Sequence, residues 1–349
     1  MIDLRSDTVT RPTAAMKEAM FSARLGDDVF GDDPTVIALQ KQAAKLVGKE
    51  AGLFVPSGTM ANQLALRAHT RHGDEIIAHA KSHIFNYESA APAALAGVTV
   101  QTVDSDDGSL PIDQVEACIH QTDDPHFAPT KLICMENTHN GAGGCVVPRQ
   151  NIDDVVSVAR GRGLSLHMDG ARIFNASVAE GGDLREYTRY FDTVSMCLSK
   201  GLGCPIGSLL LGSRSAISVA YRFRKMYGGG MRQAGILAAA GLYALDNNID
   251  RLADDHRRAR QLAEAINSLP GLSVDLERVH TNLVYFHLDA AHPLAETQGG
   301  TPLLTHRLVD EGVQIVGTHG RYRAVLHLDV DDDGLQQAVD AFGRVINAA

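Results

Sequence analysis

Apolar side chains at Val36, Ile37, Leu39, Ala43, Leu46 and Val47 recur at helical spacing, which predicts an amphipathic helix over residues 34–48. Short apolar runs follow at residues 53–55, 75–78, 99–103, 132–135, 164–168, 194–198 and 206–211. Each has the length of a buried strand, and several are separated by helix-sized stretches. Such alternation predicts an α/β fold whose mostly parallel sheet is covered by helices on both faces. After Gln233 the chain reads as helical over 234–245 and 249–269, rich in Ala and Leu with a charged outer face. Strands at 272–274, 283–288 and 323–328 and helices at 302–311 and 334–346 complete the pattern. We expect an N-terminal arm (1–14), a large unit (15–250) and a small C-terminal α/β unit (251–349).

Composition narrows the function classes. A net charge of −10 over 349 residues argues against a general binder of nucleic acid or anionic membrane. No apolar run approaches the ~20 residues of a membrane span, and the polar start, Met1-Ile2-Asp3-Leu4-Arg5, lacks the apolar core of a signal peptide. Trp is absent, so a base-stacking surface is not indicated. The five cysteines are an odd number without a Cys-x-x-Cys pair. This speaks against a disulfide framework or zinc knuckle and for a reducing, cytoplasmic setting.

Three features carry candidate chemistry. Ser57-Gly58-Thr59 lies between a strand and a helix N-terminus, where free N–H groups and the helix dipole suit a phosphate. Asp169 ends the strand at 164–168, the edge where open α/β sheets bind ligands. Lys200 ends the next strand, an unexpected place for a strongly hydrated ammonium. Taken singly, the turn reads as an N-cap and the two charges as rim side chains. Together they match what pyridoxal 5′-phosphate needs: an amine for its aldehyde, a carboxylate for its pyridine nitrogen and a phosphate cup.

At these residues the chain resembles the low-specificity L-threonine aldolases, pyridoxal-phosphate enzymes of the aspartate-aminotransferase fold (fold type I). The likeness runs through Asp3–Thr10, Gly26–Pro34, Pro56–Thr59, Glu136–Asn140, Asp169–Asn175, Leu198–Gly203 and Arg224–Gln233. It implies a large cofactor-binding domain with a mostly parallel seven-stranded sheet and a small C-terminal domain. Lys200 would carry the cofactor as a Schiff base, Asp169 would pair with the pyridine nitrogen, and His83 would stack on the ring. Ser57, Gly58 and Thr59 would hold the phosphate, and Arg232 and Lys225 would reach the phosphate region from a neighbouring subunit. Ser6, Arg172 and Arg323 would grip the substrate carboxylate, Arg172 also bordering the cofactor, and His126 would stand near the substrate hydroxyl. The resemblance also implies a homo-oligomer, a tetramer built as a dimer of dimers with shared active sites, acting on a small amino acid. Phe30 replaces the tyrosine of many relatives, and the loop at 141–145 is longer than in some.

The implied reaction is reversible cleavage of L-threonine or L-allo-threonine to glycine and acetaldehyde. His126 and His83 are the candidate bases for the β-hydroxyl proton. Another fold-type-I lyase, a β-eliminating one, is the alternative. No metal is expected: His79 and His83 lack a third ligand. The acidic run 329–334 has the spacing of a calcium loop but follows a strand pattern, so we read it as a strand-to-helix turn capped by Asp332 or Asp333.

Overall fold

Seven strands form the larger sheet of the computed structural model, which describes residues 1–120, 124–298, 300–318 and 320–348. In chain order they are β1 (Ala51–Val55), β2 (Glu75–His79), β3 (Thr99–Val103), β4 (Thr130–Glu136), β5 (Ser165–Gly170), β6 (Thr193–Cys197) and β7 (Ser208–Gly212). In space they run β1-β7-β6-β5-β4-β2-β3. Only β7 is antiparallel to its neighbours, β1 and β6. Every residue of β2, β6 and β7 is buried, as a sheet covered on both faces requires. The β7 ladder starts later than its apolar run because Pro205 has no N–H to donate and Gly207 turns through a φ of +113°.

Helix α1 spans Ala14–Phe21 and α2 spans Pro34–Leu46. Asp33 caps α2 by accepting from the Thr35 and Val36 N–H groups, and Pro34 opens it. Val36, Leu39 and Ala43 face the core, whereas Ile37 is exposed despite its place in the apolar pattern. Helix α3 (Gly58–His69) follows β1 directly.

The two largest apolar clusters mark the two sheets. The first extends from Met16 to Leu252 around the large sheet. The second gathers Leu4 with residues between Ala259 and Ile346. It surrounds an antiparallel sheet of β8 (Leu272–Ser273), β9 (Leu283–Leu288), β10 (Val316–Thr318) and β11 (Arg321–Val325), in the order β10-β11-β9-β8. Helix α4 (Leu252–Asn267) joins the two, giving Leu252 to the first cluster and Ala259, Leu262 and Ile266 to the second. The N-terminal arm is drawn into the second cluster: Ile2 and Asp3 pair in parallel with Val313 and Gln314, and Leu4 is fully buried.

The acidic turn precedes α5 (Asp332–Asn347), and its cap is Asp331, whose carboxylate accepts from the Gly334 N–H at 2.8 Å. This corrects the expected cap by one or two positions. Asp332 and Asp333 sit in the first turn, where the helix dipole favours negative charge. All five cysteines are unpaired, and among the described residues no helix is long and apolar enough to cross a membrane.

Candidate active site

A cavity of about 770 Å³ lies at the carboxyl ends of the large-sheet strands, closed from the other side by Tyr285 of β9 and Arg321 and Arg323 of β11. Its wall brings together Ser6, Ser57, Gly58, Thr59, His83, Asp169, Arg172, Lys200 and Arg323, which the sequence scatters over more than three hundred positions.

The cup is made by the β1-to-α3 turn. Ser57 Oγ caps the helix by accepting from the Met60 N–H at 3.2 Å. Gly58 and Thr59 open the first turn, where N–H groups lack intrahelical acceptors. A Cβ on Gly58 would stand 2.7 Å from Cys197 Sγ, so only glycine lets the turn sit this close to β6. Lys200 lies three residues beyond the end of β6 rather than on the strand itself, in a turn whose Lys200 carbonyl accepts from Thr10 Oγ1 at 3.0 Å. The strand ladder ends at Cys197, opposite Ser208, which frees the following turn to enter the cavity.

Asp169 stands next to last on β5, in register with Glu136 on β4 and Ser195 on β6. Its Oδ2 accepts from Asn62 Nδ2 at 2.8 Å and its Oδ1 from the Ala171 N–H at 3.1 Å. Burial alone would raise its pKa. The positive charges of His83 and Lys200 and the Asn62 hydrogen bond outweigh that and hold it below the usual carboxylate value. His83 is half-buried, with ring Nδ1 3.0 Å from Glu88 Oε1 and its backbone N–H donating to Glu136 Oε2 at 2.6 Å. Burial lowers its pKa, but Glu88, Asp169 and Glu136 raise it above the ordinary histidine value. His83, Glu88 and Asp169 set potential ligand atoms within 4.8 Å of one another. The Asn62 amide already bridges the two carboxylates, so the cluster reads as a hydrogen-bonded network.

Arg172 is buried and gives Nε and Nη2 to the two oxygens of Asp7 at 2.7 and 2.6 Å. The sequence reading missed Asp7 as its partner, although Asp7 lies in the quoted N-terminal motif. Arg323 donates to Asn140 Oδ1 and the Arg5 carbonyl, and its Nε–H is buried without a partner among the described residues. That orphaned donor on the cavity wall is a place for an incoming carboxylate. Ser6 Oγ accepts from the Thr8 N–H and hydroxyl at the same rim.

Three expected site residues are not on this wall. The His126 side chain is 86% exposed and turned to Asp124 at 2.8 Å within its own loop. Its loop is held instead by Phe127, stacked on His120 at 4.5 Å, and His120 pairs with Glu75. Within one chain, His126 therefore does not border the cavity. Lys225 is exposed near the end of Arg214–Met226. Arg232 is half-exposed, paired with Asp27 at 3.0 Å and placed over the Phe30 ring. Sequence reasoning also missed Asn62, Glu88 and His167. Asn62 and Glu88 are buried polar side chains on otherwise apolar helical or loop surroundings, a signal that exists only once burial is known.

Comparison with known proteins gives consistent matches. A family profile described as Beta-eliminating lyase matches residues 3–290. The chain is 48% identical over 338 residues to the low specificity L-threonine aldolase of Escherichia coli (strain K12), covering 97% of each. It is 41% identical to low-specificity L-threonine aldolase 1 of Arabidopsis thaliana, covering 99% of this chain and 96% of that one. The solved threonine aldolase of Leishmania major superimposes with a TM-score of 0.83 at 19% identity, covering 99% of this chain and all of that one.

Proposed function

The chain belongs to the low-specificity L-threonine aldolases, within the beta-eliminating lyase family, and from that membership we propose a pyridoxal 5′-phosphate enzyme that reversibly cleaves L-threonine and L-allo-threonine to glycine and acetaldehyde. The observation that carries this reading is the meeting of Lys200, Asp169 and the Gly58-Thr59 turn on one cavity.

The residues present fit that cofactor. The turn offers N–H groups to a dianionic phosphate, the space beside Cys197 is kept open by Gly58, and Asp169 is a buried carboxylate held ionised, suited to a protonated pyridine nitrogen. When bound, the cofactor supplies an aldehyde for an amine and a ring that accepts an electron pair. Lys200 would offer the amine that holds the cofactor aldehyde between turnovers. Asp169 would keep the ring nitrogen protonated, and His83 would face the ring. Arg323, Ser6 and the Arg172 Nη1 left free by Asp7 would hold the substrate carboxylate and so fix the orientation of the bond to be broken. With Nδ1 held by Glu88, the neutral ring of His83 would have Nε2 to take the proton of the substrate β-hydroxyl, the step that turns the departing hydroxyl carbon into the aldehyde carbonyl. General-base help of this kind contributes about 10²–10⁴-fold. His126, exposed in its own chain, would act only across a subunit boundary.

We assign Lys225 and Arg232 to a neighbouring subunit's phosphate region. Both lie outside their own cavity, and exposed apolar side chains surround them: Tyr221 and Met226 on the helix of Lys225, and Phe30 beneath Arg232. A tetramer built as a dimer of dimers would cover them. Unpaired cysteines accord with a cytoplasmic location.

The test is aldehyde release from L-threonine and L-allo-threonine by protein supplied with pyridoxal phosphate, with Lys200→Ala as control. Lysine-dependent acetaldehyde is expected. Ammonia and a 2-oxo acid in its place would assign the β-eliminating alternative, and turnover by Lys200→Ala would remove Lys200 from its role.

A further inference from the structure

Behind Asp169 lies a line of buried polar groups that the reaction above does not use. His167 and Asp169 are two residues apart on β5 and so share one face. Their register partners on β6 are Thr193 and Ser195. Asn62 and His69, seven apart on α3, project from one side of that helix onto the same block. The contacts are continuous. His69 Nε2 is 3.1 Å from Thr193 Oγ1, Thr193 Oγ1 is 2.9 Å from His167 Nδ1, and His167 Nε2 is 3.1 Å from Asn62 Oδ1. Asn62 Nδ2 then reaches Glu88 Oε1 and Asp169 Oδ2, each at 2.8 Å. His167 and Thr193 are wholly buried and Asn62 nearly so.

The direction of every bond is fixed by chemistry. Glu88 and Asp169 as carboxylates only accept, so the Asn62 NH₂ must face them and its carbonyl must face His167. His167 therefore carries its proton on Nε2 and accepts at Nδ1 from the Thr193 hydroxyl. That hydroxyl then accepts from His69 Nε2–H. Burial lowers the pKa of His167, more than the nearby Asp169 carboxylate raises it, so the ring stays neutral and keeps this single tautomer. All donors point one way, toward the two carboxylates, and bonds in such a chain polarise one another.

We infer that His167 is a positioning residue for Asp169: with Thr193 and His69 behind it, it locks the Asn62 amide in the one orientation that donates to both Asp169 and Glu88. Glu88 in turn holds His83 Nδ1. One amide thus sets both the carboxylate that would meet the ring nitrogen and the histidine that would face the ring. Without the His167 donor the amide is free to rotate, and its carbonyl would then oppose an anion.

The inference rests on the cofactor reading given above, and the experiment separates the two. Pyridoxal phosphate labelled with ¹⁵N at the ring is titrated into the parent protein and into His167→Leu, His167→Gln, Thr193→Val and Thr193→Ser. The readouts are the cofactor dissociation constant and the ¹⁵N shift of the bound ring. The parent should show a protonated nitrogen. His167→Leu should bind about tenfold more weakly, the equivalent of one buried hydrogen bond, with the ¹⁵N signal moved toward neutral pyridine. His167→Gln, which keeps an N–H donor, should restore most of both. Thr193→Val should move the same readouts in the same direction, and Thr193→Ser, which keeps the hydroxyl, should not. Thr193→Val reports even where His167→Leu fails to fold. A protonated nitrogen and parental affinity in Thr193→Val, or in His167→Leu where it folds, overturn the relay. A parent protein that binds no cofactor overturns the cofactor reading and the relay with it.

Discussion

Asp7 and Arg172 are both buried and joined by two short hydrogen bonds. Burial would raise the Asp7 carboxyl, but the Arg172 charge and hydrogen bonds, with Lys200 and Asn282, pull it far below the usual range. A depressed folded value means the stabilisation is complete above about pH 4, where an unfolded aspartate is ionised, and fades as pH falls through the folded value. Asp7→Asn leaves a buried guanidinium without its anion, and we expect about 3 kcal/mol of lost stability at neutral pH. Urea unfolding at pH 7 checks this. An unchanged midpoint would mean that Arg172 draws its support from elsewhere. The loss should shrink in acid, since protonated Asp7 no longer supplies the charge. His83 follows the opposite rule. Its raised value means the stabilisation from Glu88 is full below the unfolded histidine pKa of about 6.5 and is lost as pH rises through the folded value.

At the scale of the element, the β1-to-α3 turn depends on a missing side chain. Ser57 supplies the cap, which sequence alone anticipates from a Ser before a helical pattern. That Gly58 must be glycine follows from Cys197 on a strand 139 positions later in the chain. Gly58→Ala would push the turn away from β6, and we expect cofactor affinity to fall about tenfold or more, a loss of roughly 1–3 kcal/mol typical of overpacking. Absorbance titration with pyridoxal phosphate measures it. Parental affinity would show that the turn accommodates a methyl group and that the cup does not depend on the close approach. Strand ends show the same division. The apolar runs located all seven large-sheet strands to within two residues, but Lys200 proved to lie past its strand because a ladder ends where its partner ends, and Ser208 is the partner.

The whole molecule decides whether the site is complete. Arg232 faces Asp27 and solvent in its own chain, so its assignment to a neighbour's phosphate is tested by mixing. Lys200→Ala and Arg232→Ala proteins are each expected to be nearly inactive. Reassorted in equal amounts, half of the dimers would hold one site with neither defect, restoring about a quarter of the parent activity. No recovery would confine Arg232 to its own chain. By itself the sequence determined the α/β class and most helices and strands, and it marked Lys200, Asp169 and the Ser57–Thr59 turn as candidates that the structure brings to one cavity, because periodicity and residue chemistry are local properties. Only the tertiary structure decided that Asp7 holds Arg172, that Asn62 and His167 stand behind Asp169, and that His126 points away from its own cavity. Those facts depend on burial and on distances between segments far apart in the chain, and packing creates both.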